Sequence, residues 1–242
     1  WYHGVMGHAG ADRLAASIRN HLWFPSLDRR VKELVSTCRI CQLQKNPGVP
    51  YGHAAPRQDT AQPFSDLAVD LIGPWPIVIP NYGRLSIHAV TMTDMATTLT
   101  EIQRIPTKHA DVVAMHVENA WLARYPLPQR CIHDPGTEFT GLAFQSMLQR
   151  NGITPVPTTA GNATGNAIGE RVHKTIGDQL RTLLAEHPPA TVAEAHNLID
   201  NCIASSVRAL RTAVHRTFQV SPGSLVFQRD MFLPIPVLAD YN

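Results

Sequence analysis

Residues 66–72 read DLAVDLI. Leu67, Val69 and Leu71 alternate with Ala68, Asp70 and Ile72, the period of a strand whose two faces differ. Asp70 therefore lies within the strand, on the face of Ala68 and Ile72, where a lone carboxylate is costly unless a cation stands beside it. The elements that follow decide which other groups reach that face.

RLSIHAVTMTD (84–94) and TTLTEIQRI (97–105) read as two more strands, joined by a tight turn near Asp94 and Met95. Thr107, after Pro106, is placed to cap a helix running to about Arg124, and YPLP (125–128) stops it. A strand ending in CIHD (131–134) then breaks on Pro135-Gly136, which lets the chain leave quickly. Leu142 to Arg150 reads as a helix closed by Asn151-Gly152, and ITPVP (153–157) as a short strand.

Two long helices follow. Ile168, Val172, Ile176, Leu180 and Leu183 stripe the first, which HPP (187–189) ends; Thr191-x-x-Glu194 is a capping box opening the second. A hairpin series followed by alternating helix and strand gives a mixed α/β sandwich.

Upstream, Leu14, Ile18 and Leu22, then Val31, Leu34, Val35 and Cys38, recur at helical spacing and predict two short helices. KNPGVPYGHAAPRQDTAQP (45–63) has Pro and Gly too often for a regular element and reads as a linker. The expected division is a head over 1–48, a linker over 49–63, a core over 64–219 and a tail over 220–242.

Net charge is only +2, but it is uneven. Residues 1–57 carry eight Lys/Arg against Asp12, Asp28 and Glu33, leaving the rest net acidic. That division fits a polyanion contact at one end and carboxylates free for metal at the other. No apolar run approaches the roughly 20 residues a membrane span needs, and WYHGVMGHAG is not a signal peptide. Without an initiator Met, the chain reads as a piece of a longer polypeptide. Four cysteines, two in a C-x2-C pair, point to a reducing compartment rather than a disulfide framework.

Two constellations carry chemistry. His3-x4-His8, then Cys38-x2-Cys41, offers the tetrahedral nitrogen and sulfur donors that zinc takes, with His21 a competing ligand. The head has little apolar material of its own, so metal is the expected source of its stability. The second constellation is acidic: Asp70, Asp134 at a strand end, and Glu170, about 200° around its helix from Ile168 and so off the apolar stripe. His173, Lys174 and Gly177 share the face of Glu170. Glu194 and Asp230 repeat the interval between Asp134 and Glu170, but Glu194 is used in a cap and Asp230 lies in a Pro-rich tail. Glu138 and Asp178 read as solvated charge, and Cys131 as core.

Taken in order, WYHGVMGHAG, CRICQLQK, VDLIGPWP, HDPGTEF and NAIGERVHKT resemble the integrases of gypsy-like LTR retrotransposons, relatives of retroviral integrases. The resemblance covers nearly the whole chain. It implies an α/β, RNase H-like mixed-sheet catalytic core preceded by a small helical zinc-binding domain. His3, His8, Cys38 and Cys41 would bind structural zinc, and Asp70, Asp134 and Glu170 would hold catalytic Mg²⁺ or Mn²⁺. Lys174, Arg171, Asn166 and His173 would meet DNA. The implied activity is 3′-end processing and strand transfer on element ends and target DNA by a nuclear homo-oligomer assembled first in the cytoplasm, with no membrane and no small-molecule substrate. The chain departs from the family in reading HAG where His-Pro-Gly is usual, and Asn162-Ala163-Thr164-Gly165-Asn166 where Asn-Pro-Gln-x-Asn is common. It ends before a recognisable C-terminal DNA-binding domain. The altered loop keeps a second reading open, a decayed or domesticated integrase acting as a DNA-binding assembly module. An RNase H nuclease on the same scaffold is a third, for which the zinc head has no obvious use.

Overall fold

The structure, a computed structural model, describes residues 1–45, 62–158, 163–215, 218–229 and 231; within these, the side chains of 163–171 and 175 are not described. Four short helices open the chain: α1 (Tyr2–Val5), α2 (Ala11–Arg19), α3 (Leu27–Thr37) and α4 (Arg39–Gln44). The two sets of apolar spacing find α2 and α3 but run past them. Leu22 lies beyond α2 and Leu34 is half exposed, so Leu14, Ile18, Leu27 and Val31, with Met6 and Ala15, make the buried cluster.

Five strands follow: β1 (Asp66–Ile79), β2 (Gly83–Asp94), β3 (Thr100–Ile105), β4 (Arg130–His133) and β5 (Thr154–Pro157). They form one sheet in the order β3-β2-β1-β4-β5. The first three pair antiparallel, whereas β4 runs parallel to β1 and β5 parallel to β4. β1 does not stop at Ile72. It continues through Gly73-Pro74-Trp75-Pro76 to Ile79, with a register break between Ile72 and Trp75. Proline is tolerated there because β4 pairs only with residues 66–68, so among the described residues the far half of β1 has no strand on that edge and no ladder N–H is needed.

Between β3 and β4 run α5 (Ala110–Val117) and a π turn over Glu118–Leu122. The expected Thr107 cap is not used; His109 occupies the N-cap, with no side-chain cap bond. α6 (Thr137–Thr140) and α7 (Leu142–Arg150) link β4 to β5. The last helices are α8 (Ala163–Glu186), α9 (Val192–Thr212) and α10 (Pro222–Phe227). Thr191 Oγ1 accepts from Glu194 N at 3.1 Å while Glu194 Oε2 accepts from Ala190 N at 2.8 Å, so the capping signal is a working one.

Alternation in β1 sends its two sets of side chains to two cores. Leu67 and Val69 pack with Trp121, Phe139, Phe144 and Met147 under α5, α6 and α7. Ile72 packs with Ala89, Ile102, Val172, Ile176 and Ile199 under α8 and α9. Asp70 belongs to the second face, so the sheet is sandwiched by helices and Asp70 looks toward α8.

The head rests on the same two helices. Gln179 Nε2, on α8, donates to Gly7 O at 3.1 Å, and Ser206 Oγ, on α9, donates to Gln179 Oε1. Val214 N donates to Ser17 Oγ at 3.1 Å, and Ala213 is buried in the head's apolar cluster. Gly7 has φ +59°, and a Cβ there would overlap the Gln179 amide. Gly7→Ala is accordingly expected to undock the head at a cost of about 1–3 kcal/mol from the left-handed backbone alone. Faster proteolysis between head and core, with zinc still bound, is the expected readout; unchanged protection would refute it.

Candidate zinc and carboxylate centres

His3 lies in α1, His8 is the second of a left-handed Gly7-His8 pair, and Cys38 stands at the N-cap of α4 with Cys41 in its first turn. His8 Nδ1 stands 3.1 Å from His3 Nε2 and 3.5 Å from the Sγ of both Cys38 and Cys41, and Cys41 Sγ is 3.2 Å from His3 Nε2. Four donors on a tetrahedral zinc ion stand about 3.3–3.8 Å apart, given metal bonds of about 2.0–2.3 Å. The cluster fits that ion, with all four donor atoms within 4.8 Å of one another. Burial holds His3 neutral, its pKa pushed down to about 4, as a ligating imidazole must be. His21 is exposed and takes no part.

The acids separate by what their oxygens touch. Asp66 is held by Arg130 through two bonds of 2.6 Å. Asp94 Oδ2 accepts from Thr97 N at 2.8 Å and Thr97 Oγ1 at 2.6 Å, and its Oδ1 accepts from Phe64 N at 2.9 Å. Glu101 takes Arg211 and the Tyr125 hydroxyl; Asp178 takes Arg181. These carboxylates have structural partners, and Asp178 is buried rather than solvated.

Asp70 and Asp134 are different. Asp70 Oδ1 accepts from Leu71 N at 2.8 Å, and Asp134 Oδ1 from Gly136 N at 2.9 Å. Among the described residues, no donor reaches either Oδ2 at hydrogen-bonding length. The parallel pairing of β1 with β4 in the register Ala68 to Ile132 brings the two strands side by side, so Asp134, two residues past Ile132, comes alongside Asp70. Burial pushes the Asp70 carboxyl up to about 6, against the opposing bond from Leu71, and the negative charges of Asp134 and Glu138 add to the rise. Glu138 therefore belongs to the acid cluster rather than to solvated surface. Its distance from Asp134 along the sequence gives no hint of this, because the α6 turn folds it back.

Gly136 has φ −61°, an ordinary value, so it is not a left-handed exit. Its importance is closeness: a Cβ would lie 2.9 Å from Asp134 Oδ1. His133 is buried against Phe139 and Phe144, and its Nδ1 is 2.7 Å from Asp134 O, which fixes the end of β4 from below. Cys131 is fully buried core.

From α8, His173 Nε2 comes to 3.6 Å from Asp70 Oδ2 and 3.4 Å from Thr91 Oγ1, so it faces the acids, while Lys174 is exposed. Positions 166, 170 and 171 are carried by α8. The side chains of Asn166, Glu170 and Arg171 lie outside the described residues, as does the loop residue Asn162.

A divalent cation held between these carboxylates would offset their mutual repulsion. Because the Asp70 pKa is raised, its ionised form opposes folding above about pH 6, and that opposition fades as pH falls toward the unfolded value near 3.8. Protons and cation then compete for one group. Divalent-cation affinity is expected to fall by up to about tenfold per pH unit below pH 6, with proton release on binding; calorimetry in two buffers measures both. Affinity flat between pH 7 and 5 would contradict this electrostatic picture.

Residues 1–47 match the integrase zinc-binding domain family. The chain is 26% identical over 237 residues to the Pro-Pol polyprotein of feline foamy virus, covering 95% of this chain and 18% of that protein. It is 25% identical over 183 residues to a retrovirus-related Pol polyprotein from transposon 412 of Drosophila melanogaster (74% of this chain, 14% of that one). Against the Gag-Pol polyprotein of transposon Ty1-ML2 of Saccharomyces cerevisiae it is 24% identical over 223 residues, covering 84% and 12%. The chain thus spans less than a fifth of the length of each of these relatives. The core shares its fold with the crystal structure of the catalytic core domain of BIV integrase: TM-score 0.50 at 15% identity, covering 68% of this chain and 95% of that one.

The chain thus joins an integrase zinc-binding module over residues 1–47 to a core with the fold of a retroviral integrase catalytic domain, and it is similar to Pol polyproteins of retroviruses and retrotransposons.

Proposed function

We propose that the chain is a metal-dependent polynucleotidyl transferase that trims the 3′ ends of element DNA and joins them to target DNA. The observation that carries this reading is a contrast among the acids. Among the described residues the partly buried Asp70, on β1, and Asp134, just past the end of β4, each keep one oxygen without a donor, whereas the buried acids Asp66, Asp94, Glu101 and Asp178 all have structural partners. Asp70 and Asp134, with Glu170 from α8, would hold the cations. Such cations, once bound, neutralise charge on the phosphate and favour the ionised attacking oxygen.

The protein's own part is positioning and charge. β1 and β4 fix the two aspartates in register, and the bonds from Leu71 N and Gly136 N orient each carboxylate with Oδ2 outward. The nucleophile is water in trimming and the freed 3′ hydroxyl in joining, so no protein nucleophile is required. Lys174, which is exposed, with positions Arg171 and Asn166 of the same helix and the basic head, are the proposed phosphate contacts; affinity should fall steeply with salt. Residues 1–48 act as the zinc module and 64–219 as the core of a nuclear homo-oligomer that assembles in the cytoplasm.

The test is strand transfer of a short element-end duplex into plasmid DNA by the zinc-loaded chain with Mg²⁺ or Mn²⁺. Joined product is expected. DNA binding without joining would favour the non-catalytic assembly module, and cleavage of RNA in a hybrid would favour the nuclease reading.

A further inference from the structure

Resting on the proposed carboxylate site, we infer that His133 is a positioning residue for it: the ring holds the Asp134 peptide so that the carboxylate presents Oδ2 outward, at a cost in stability that packing alone does not require. Asp134 follows the last residue of β4 and precedes Pro135, which has no N–H to give. Two bonds then decide where its carboxylate points. His133 Nδ1 lies 2.7 Å from Asp134 O, and since a carbonyl only accepts, the ring donates there. Gly136 N donates to Asp134 Oδ1 at 2.9 Å. The chain links the two. The ring fixes the plane of the Asp134–Pro135 peptide, proline fixes the next torsion at about −65°, and Gly136 N is thereby delivered to Oδ1, with Oδ2 left over. Among the described residues no backbone N–H reaches Asp134 O, so the imidazole is what holds it.

Two further observations set this ring apart from ordinary core. His133 is 2% exposed, with Phe139 of α6 and Phe144 of α7 against it at centroid distances of 5.7 and 5.8 Å. In that apolar setting its Nε2 is buried and meets no partner among the described residues. A buried polar atom left unpaired destabilises, and an apolar side chain of similar size would remove the defect while packing on both phenylalanines. Stability alone therefore does not account for an imidazole here, whereas the bond to Asp134 O does. The ring is itself anchored, because His133 O accepts from Thr158 N, just past β5, at 2.7 Å, so the restraint passes from the sheet to the carboxylate. Partners placed one step behind a metal-binding group change metal affinity or activity by about 10–100-fold.

The experiment compares His133→Leu and His133→Asn with wild type in the zinc-loaded full chain, reading the denaturant midpoint, Mn²⁺ affinity by calorimetry and strand transfer. Leu fills the apolar site without a donor; Asn keeps an amide N–H near the position of Nδ1 but leaves space against the phenylalanines. His133→Leu is expected to keep or raise the midpoint while binding Mn²⁺ about tenfold more weakly and joining DNA at least about tenfold more slowly. His133→Asn should be the less stable of the two yet recover most of the affinity and the joining. A merely structural His133 gives the reverse order, with affinity and joining following the midpoint. That order, or His133→Leu within about twofold of wild type in both, overturns the positioning role and leaves the proposed function standing. Wild-type Mn²⁺ binding indifferent to Asp134→Asn overturns both. Two arms decide the point should His133→Leu fail to fold. ¹⁵N-histidine NMR of the wild type should find the proton on Nδ1, and a ring protonated on Nε2 alone overturns the assignment, as does a folded His133→Asn chain that has lost about tenfold in Mn²⁺ affinity.

Discussion

Cys41→Ser, or chelation of the wild-type chain, is expected to take zinc stoichiometry from one to zero and unfold residues 1–45 while the sheet stays folded. The head's buried apolar set is small, about half a dozen side chains on helices of four to eleven residues. Modules of this size rarely stand without metal or disulfides, and all four cysteines are free thiols. Zinc contributes on the order of 10 kcal/mol to such a fold. Without a cation, burial pushes the Cys41 thiol up to about 11, so the thiolate exists at neutral pH only because the metal binds it, and uptake must release protons. Far-UV CD should lose the head's helical signal, and proteolysis should stop near the start of β1. Unchanged CD and zinc content in Cys41→Ser would mean that these four residues are not the zinc site. A secondary effect should reach the core, because Gln179, Ser206 and Val214 would lose the partners that Gly7 and Ser17 provide.

What the sequence made legible were the features with a local period or a short-range pattern. The alternation in DLAVDLI put Asp70 on the right face of β1, and Cys38-x2-Cys41 with two upstream histidines located four donors that the fold gathers. Two boundaries were missed. The strand read over 66–72 runs on through Pro74 and Pro76 to Ile79, and Thr107, read as a helix cap, lies ahead of a helix that starts at Ala110. Contacts made across elements left no trace in spacing. Nothing near Glu138 announces that its charge acts on Asp70, 68 positions away. Nor does the position of His173 beside Glu170 announce that it faces Asp70, which the packing of α8 on β1 and β2 brings about. The pairings of Asp66 with Arg130 and Glu101 with Arg211 were equally invisible, yet they are what sets those acids apart from Asp70 and Asp134.

Asp134→Asn should abolish joining while making the cation-free protein no less stable, and the two halves of that result share one cause. Asn keeps an oxygen at the position of Oδ1, so the bond from Gly136 N at 2.9 Å and the turn after β4 survive. What disappears is a negative charge that raises the Asp70 pKa. In the free protein that charge is a repulsion, and its removal lowers the cost of ionising Asp70. Once cations and DNA are bound the same charge is needed, because it holds the ions that offset charge developing on the phosphate. Loss of one such preorganised charge costs about 10²–10³-fold in rate, and more where cation occupancy also falls. Activity is therefore expected to drop at least about 10³-fold, with zinc content and DNA affinity kept. Glu138→Gln removes a similar repulsion from a residue outside the proposed ligand set and should cost no more than about tenfold. Measuring strand transfer beside denaturant midpoints for both variants separates the roles. Asp134→Asn joining DNA within tenfold of wild type would remove this carboxylate from the chemistry, and a large loss of stability would mean that its charge is structural, like those of Asp66 and Asp94.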